Sequence, residues 1–445
     1  MLPPFTTRDL ARTSVSRFCG GIVLTTLVGA LALSTAVFAA EAPLTLAEAQ
    51  RRAVERSRQL SAHDFSVTAS RDMAVAAGQL PDPVLRLGVE SLPVNGPDRF
   101  SLTNDFMTMR KVGVMQELTR ADKRQLRANR FEREAEKSLA EKSVTIAAIE
   151  RNTALAWLDR YYAEAMAAVI AEQGTQAKLE IQAAEGAYRG GRGNQADIIT
   201  ARSALTAFDD RASEIDRRIR NAKVMLARWI GGTADTPLGG KPATDAIRLD
   251  VAELESQLAH HPEIAVLAKQ EEIAATEASL AQANKKSDWS VELMYSQRGP
   301  AYSNMISVGV SIPLQWNQGN RQDRELSAKL AMVEQAKAER EDMLRAHVAE
   351  TRALINEWEN GRERHARYQR ELVPLANDRT AATVAAYRGG KAGLADLLAA
   401  RRNEIEVRIQ ALQLETDIAR LWAQLNFLFP QQGFSAHWTI NRDTK

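Results

Sequence analysis

Apolar residues recur at steps of 4, 3, 4, 3, 4 and 3 from Phe208 through Ala212, Ile215, Ile219, Ala222 and Leu226 to Trp229. That is heptad spacing, the pattern of a helix with one apolar seam laid along a partner helix. The same steps run through Val407, Ala411, Leu414, Ile418, Leu421, Leu425 and Leu428, at a constant offset of 199 residues. Ahead of each seam lies a long stretch rich in Ala, Glu, Lys, Arg and Leu. The first, residues 120–188, predicts a helix of roughly 100 Å at ~1.5 Å per residue. Gly174 marks a candidate join within it. A helix of that length cannot fold around itself and must run along partners as a rod. The second stretch, residues 321–387, predicts a matching helix bent at Pro374, whose missing N–H interrupts the ladder.

Between the helical stretches the period changes from heptad to two. Residues 84–90 alternate Leu85, Leu87 and Val89 against Arg86, Gly88 and Glu90. Residues 107–118 form a second, less regular strand. Residues 289–297 place Val291, Leu293 and Tyr295 on one face, and residues 305–313 alternate Ile306, Val308, Val310 and Ile312 against Ser307, Gly309 and Ser311. Each predicted strand pair follows a helix. The first helix, 45–80, is ended by Pro81, Asp82 and Pro83; the second, 250–286, is interrupted near Pro262.

The two halves are tied together by a repeated turn. Residues 187–202 read AYRGGRGNQADIITAR, and residues 386–401 read AYRGGKAGLADLLAAR. Tyr188 matches Tyr387, Gly190 and Gly191 match Gly389 and Gly390, and Asp197 matches Asp396 at the same offset as the seams. A repeat of this length predicts two copies of one unit: helix, strand, strand, long helix, turn, helix. The expected organisation is a signal peptide at 1–39, a first repeat at 40–230, a linker at 231–249, a second repeat at 250–429 and a tail at 430–445. Locally, Gly191 and Gly390 are expected to take positive φ at the helix ends. Asp197 and Asp396 then lie near the next helix N-terminus, where a carboxylate is favoured.

The N-terminal residues change the picture of where the protein works. Arg8, Arg12 and Arg17 precede an apolar run at 22–36, and small residues follow near Ala39. This is the layout of a secretory signal peptide. The only cysteine, Cys19, falls within it. Residues 1–39 hold three of the 58 basic and one of the 56 acidic residues, so the remainder balances to zero. That balance gives no basis for nucleic-acid binding. Strands of about nine residues suit a tilted bilayer span. Four strands cannot close a barrel, and open sheet edges are not tolerated in lipid. The pattern therefore asks for several chains sharing one barrel. A secreted coiled-coil interaction protein, with a small sheet and no pore, is the alternative.

Catalysis is not indicated. The six histidines, at 63, 260, 261, 347, 365 and 437, fall in no HExxH pattern, and neither CxxC nor a phosphate loop occurs. His260 and His261 are adjacent and so do not share a helical face. No metal site, cofactor or enzymatic centre is expected.

The repeated turn, the run AGQLPDPVLRL at 77–87 and the order of elements resemble the TolC family of outer-membrane efflux ducts. The resemblance covers residues 44–429. MRKVGVMQE at 109–117 and the segment at 288–309 are more similar to its heavy-metal-efflux branch than to its drug-efflux branch. It implies a mainly α fold with a small antiparallel β part and a two-fold internal repeat. Long coiled-coil-like hairpins and four strands per chain would build a homotrimer with a twelve-stranded barrel in outer-membrane lipid and an α-helical tunnel in the periplasm. The implied partners are a periplasmic adaptor and an inner-membrane RND-type pump, and the implied cargo is heavy-metal cations; a duct for drugs or other small molecules is the other reading. Tyr188, Gly190, Gly191, Tyr387, Gly389 and Gly390 match the periplasmic tip where the adaptor docks. Asp197, Tyr387 and Asp396 match gate and aperture positions. The latch arginine of the family is replaced by Ala392, and its second aspartate ring by Ala399.

Overall fold

The computed structural model describes residues 42–191, 194–232 and 235–431. The expected signal peptide at 1–39 and the chain beyond residue 431 lie outside the described residues. The chain opens with α1 (Leu46–Arg56), whose cap is Thr45: its Oγ1 accepts from the Glu48 N–H at 3.2 Å. The expected single helix over 45–80 is two helices. Ser57 takes an extended ψ of 118° and breaks the ladder before α2 (Arg58–Ala77). Pro81 and Pro83 then keep the backbone extended into the sheet.

The sheet holds β1 (Val84–Glu90), β2 (Met109–Leu118), β3 (Trp289–Gln297) and β4 (Met305–Ser311), all antiparallel in sequential order. β2 begins two residues later than the alternation predicts, and β4 stops at Ser311, short of Ile312. Between β2 and β3 the chain makes its first excursion: α3 (Ala121–Arg189), α4 (Gln195–Ile230), α5 (Leu254–Leu258) and α6 (Pro262–Asn284). α3 is one helix of 69 residues, unbroken at Gly174. Alanine recurs among its buried positions, at Ala135, Ala147, Ala154, Ala163, Ala177 and Ala184. Such small side chains let neighbouring backbones approach closely along a rod. The stretch 250–286, expected as a helix interrupted near Pro262, is a 3-10 turn (Val251–Glu253), α5 and α6, with the break at residues 259–261 just before that proline. Pro262 is a first-turn residue of α6, where its missing N–H costs nothing.

After β4 comes the second excursion: α7 (Gln322–Arg367), α8 (Val373–Arg388) and α9 (Leu394–Asn426). The break expected at Pro374 takes the form of a π-helical turn at Tyr368–Leu372, just before the proline. Widening the turn there is a way to absorb the hydrogen bond that Pro374 cannot donate.

The main core forms where α1, α3, α4, α5, α7 and α9 meet. Trp157, Leu226, Leu258, Trp358, Trp422 and Phe427 are buried in it. Two of the indoles keep their polar edges satisfied: Trp157 Nε1 donates to the Leu44 carbonyl at 3.0 Å, and Trp422 Nε1 to the Ala246 carbonyl at 2.9 Å. Both acceptors lie at the chain's entry or in the 231–249 linker, so those segments are tied down. Leu44 also bridges Leu238 in parallel. The heptad seam of α4 is buried or half-buried at every position, and so is that of α9. Charged residues join the helices outside the core: Glu277 of α6 meets Arg130 of α3 at 2.9 Å and Lys329 of α7 at 2.6 Å, and Arg401 of α9 meets Glu180 of α3 at 3.0 Å.

Candidate functional site: an uncovered sheet face and paired glycine turns

The strand register decides what each side of the sheet presents. Directly opposed residues share a face. One row reads Leu85, Val114, Leu293 and Val308; the next reads Leu87, Val112, Tyr295 and Ile306. The opposite face carries Arg86, Gly113, Met294 and Ser307 in one row and Val84, Met115, Glu292 and Gly309 in another. Arg86 reaches Glu292 across two strands at 3.3 Å, and Lys111 pairs with Glu90. In these rows one face is apolar and the other carries paired charges among glycine, serine and methionine residues.

No element covers the apolar face within the described chain. Leu87, Ile306 and Val308 are each more than 70% exposed. All seven residues of β1 and all seven of β4 are exposed, and these are the two edge strands. Leaving this much apolar surface in water is unfavourable by ~25 cal/mol per Å². An uncovered apolar face bounded by unpaired strand edges marks a surface that functions against something other than water.

A buried ion pair fixes the sheet to the rods. Lys123, near the start of α3 and 3% exposed, places Nζ 2.7 Å from Asp288 Oδ2 and 2.6 Å from the Lys286 carbonyl. Asp288 Oδ1 also accepts from the Arg120 N–H at 2.9 Å. Burial alone would raise the Asp288 carboxyl; the Lys123 ammonium and the Arg120 amide overcome it and hold the group below the usual carboxylate range. The sequence offered no signal for this pair, whose members stand 165 residues apart.

At the other end of the rods lie the two glycine turns. Gly191 and Gly390 both have φ of 70°, as their positions required. In the second turn Gly390 N–H donates to the Tyr387 carbonyl at 3.0 Å and Lys391 N–H to the Ala386 carbonyl at 2.8 Å, the Schellman closure of a helix end. Gly190 and Gly389 follow α3 and α8 with φ near −80°. No Cβ clash stands at Gly191 or Gly390, so backbone conformation alone demands glycine there.

The structure brings the two turns together. Ile181 and Ala184 from α3, Ala201 and Ala204 from α4 and Leu394, Leu397 and Leu398 from α9 form one small core, with Tyr387 packed against it. Tyr188, the sequence counterpart of Tyr387, is 47% exposed. Asp197 is half-buried, and its N–H is capped by Asn194 Oδ1 at 2.8 Å. Asp396 is exposed. Its Oδ2 accepts from the Gly393 N–H at 3.1 Å, which is half of a capping box, since Gly393 has no side chain to return the bond. Ala399, one turn on, is exposed on the same side.

Long helical hairpins stand on a four-stranded antiparallel sheet with one apolar face left bare, and solved structures share this arrangement. The chain superposes on the outer-membrane channel OprN with a TM-score of 0.72 and 16% identity, over 86% of this chain and 89% of that one. For the outer membrane protein VceC of Vibrio cholerae the TM-score is 0.69 and the identity 17%, over 86% and 95%. For CusC, described in terms of folding and transmembrane channel formation, the values are 0.71 and 15%, over 86% and 92%. At these identities the likeness is one of fold. The mainly helical chain with its four-stranded antiparallel sheet is part of what the resemblance to the TolC family implied. Neither a scan against protein-family models nor a search of curated proteins finds a match.

Proposed function

We propose that this chain is the outer-membrane exit duct of a tripartite efflux system, working as a homotrimer. The observation that carries the reading is the bare apolar sheet face between two unpaired edges. In lipid such edges must be closed, and β4 of one chain joining β1 of the next closes them. Three chains then give a twelve-stranded barrel with the Ile306, Val308 and Val310 face toward lipid and the Ser307 and Gly309 face toward the lumen. The ten residues of β2 rise about 34 Å, which a tilt near 40° converts to the ~25 Å apolar band of such barrels.

The rods extend from the barrel into the periplasm and form the tunnel. Exposed Leu330, Met332 and Met343 on α7 and Val224 and Met225 on α4 are the surfaces left for neighbouring chains. The element order, with its two strand pairs and two long hairpins, supports the two-fold repeat and the division at 40–230 and 250–429. The turn residues Tyr188, Gly190, Gly191, Tyr387, Gly389 and Gly390 form the tip at which the periplasmic adaptor docks, with an RND-type pump beyond it. Exposed Asp396 supplies one ring of three carboxylates at the aperture, and Asp197 and Tyr387 stand at the gate. That ring favours cations, in keeping with heavy-metal cargo.

Reconstitution of the purified protein in planar bilayers tests the reading. Stable single channels of uniform conductance are expected from a detergent-solubilised trimer. A monomer without conductance would overturn it in favour of the secreted coiled-coil alternative.

A further inference from the structure

The pair His260–His261 is not a unit in space, but His261 has other company. It caps α6: its Nδ1 accepts from the Glu263 N–H at 3.3 Å. His347, on α7, comes alongside, with the two imidazole centroids 4.7 Å apart. His347 Nε2 lies 2.9 Å from Glu263 Oε2. One donor atom from each of the three residues falls within 4.8 Å of the others, and among the described residues this is the one such group of histidine and acidic side chains found.

We propose that His261, Glu263 and His347 form a binding site for a borderline divalent transition-metal ion, with Zn²⁺ the preferred occupant. Two imidazoles and one carboxylate, with a fourth position left for water, is a donor set that Zn²⁺ accepts. The softness of the imidazoles disfavours Mg²⁺ and Ca²⁺. Bonds of ~2.0–2.1 Å place tetrahedral ligands about 3.4 Å apart. The 2.9 Å His347–Glu263 contact must open slightly and the widest separation, at most 4.8 Å, must close, so the trio needs side-chain adjustment and no backbone change.

Three further features favour metal over a plain ion pair. His261 is 5% exposed, which sets one imidazole of the trio inside the fold rather than on its surface. The Leu428 carbonyl bonds the same ring. With Nε2 the donor in that bond, Nδ1 is the atom left to meet an ion, which takes it in place of the long 3.3 Å bond from the Glu263 N–H. A ligand histidine held through its other nitrogen by a backbone carbonyl is the usual outer-shell arrangement. The third feature is access: Glu263 is 47% exposed at its side chain, which gives an ion a way in from solvent. An ion here would clamp the start of α6, the middle of α7 and the segment after α9, where Phe429 meets the His261 ring edge-on at 5.5 Å.

The test uses full-length protein purified in detergent without a histidine tag. Titration with Co²⁺ should produce the visible absorption of a four-coordinate ion at one equivalent per chain, and Zn²⁺ should abolish it by displacement. His347→Gln and Glu263→Gln should each weaken binding at least about tenfold, no less than the 10–100-fold typical of losing an outer-shell partner. His260→Gln, whose ring bonds within its own turn to Ser256 at 2.9 Å, should bind as the parent does. Circular dichroism of each variant separates loss of ligand from loss of fold. Absence of stoichiometric binding, or binding unchanged in both His347→Gln and Glu263→Gln, would overturn the proposal and leave a helix cap beside an ion pair. Because the readout is ion binding by the isolated protein, failure here leaves channel formation untouched, and failure to conduct leaves this site untouched.

Discussion

Replacing Val308 by arginine is the sharpest test of the sheet's orientation. Val308 is the central residue of the seven-residue β4 and is 72% exposed in the single chain. It lies opposite Leu293, in the row that continues through Val114 to Leu85. If that row faces lipid, a guanidinium at its centre costs roughly 2–4 kcal/mol per chain, or about 6–12 for three chains. The neighbouring Ser307→Arg places the same charge on the other face. There Ser307 lies opposite Met294, one row from Glu292, which already pairs with Arg86. An arginine at 307 gains a carboxylate neighbour and stays in water, so its effect should be below about 0.5 kcal/mol. Ile306→Arg, on the apolar face nearer the strand end, should fall between the two because the penalty shrinks toward the interface. The assay is the amount of heat-modifiable oligomer recovered from isolated outer membranes. Val308→Arg should reduce it strongly and Ser307→Arg should leave it at parental level. Equal recovery of both variants would refute the lipid-facing assignment.

Three other outcomes follow from named contacts. Gly390→Val should impair the tip, because φ of 70° strains any β-branched residue by more than the ~1–2 kcal/mol charged to an ordinary L-residue; normal adaptor cross-linking in that variant would count against the docking role. Asp396→Asn keeps an oxygen to accept from Gly393 N–H and so removes charge while sparing the cap; in bilayers, reversal potential and block by a trivalent cation should both fall, and unchanged values would reduce Asp396 to a capping residue. Glu277 is held below its ordinary value of 4.5 first by the hydrogen bond from Lys329 and then, against burial, by the charges of Lys329 and Arg130. A depressed carboxyl adds stability above its unfolded value and loses it as pH falls through the folded one. Thermal unfolding should therefore show Glu277→Gln less stable by about 1 kcal/mol at neutral pH, with the difference shrinking as pH falls below 4.5 through the lowered folded value; a pH-independent difference would show that packing, not charge, is at stake.

What the sequence determined by itself was local and periodic. The 4,3 steps of Phe208 to Trp229 and of Val407 to Leu428 mark helices that bury one face, and burial follows them position by position. The alternation of Ile306, Val308 and Val310 marks a strand. Double glycines after Arg189 and Arg388 mark helix ends at which only glycine takes positive φ freely. Such features are legible because backbone conformation and the direction of neighbouring side chains are set over a few residues. Even locally there were limits: the break at Ser57 carries no proline or glycine, and the π turn before Pro374 is one of several ways a helix absorbs a proline.

Tertiary structure alone decided what lies beside what. Strand register put Leu85, Val114, Leu293 and Val308 in one row although 223 residues separate the first from the last. The same folding set Lys123 against Asp288, joined Arg130, Glu277 and Lys329 across three helices, and brought His347 to His261. In each case the residues are ordinary charged, apolar or imidazole side chains with no distinctive spacing. Their chemistry comes from distances of a few ångströms, and a distance of that kind between residues far apart in the chain depends on how every intervening helix packs.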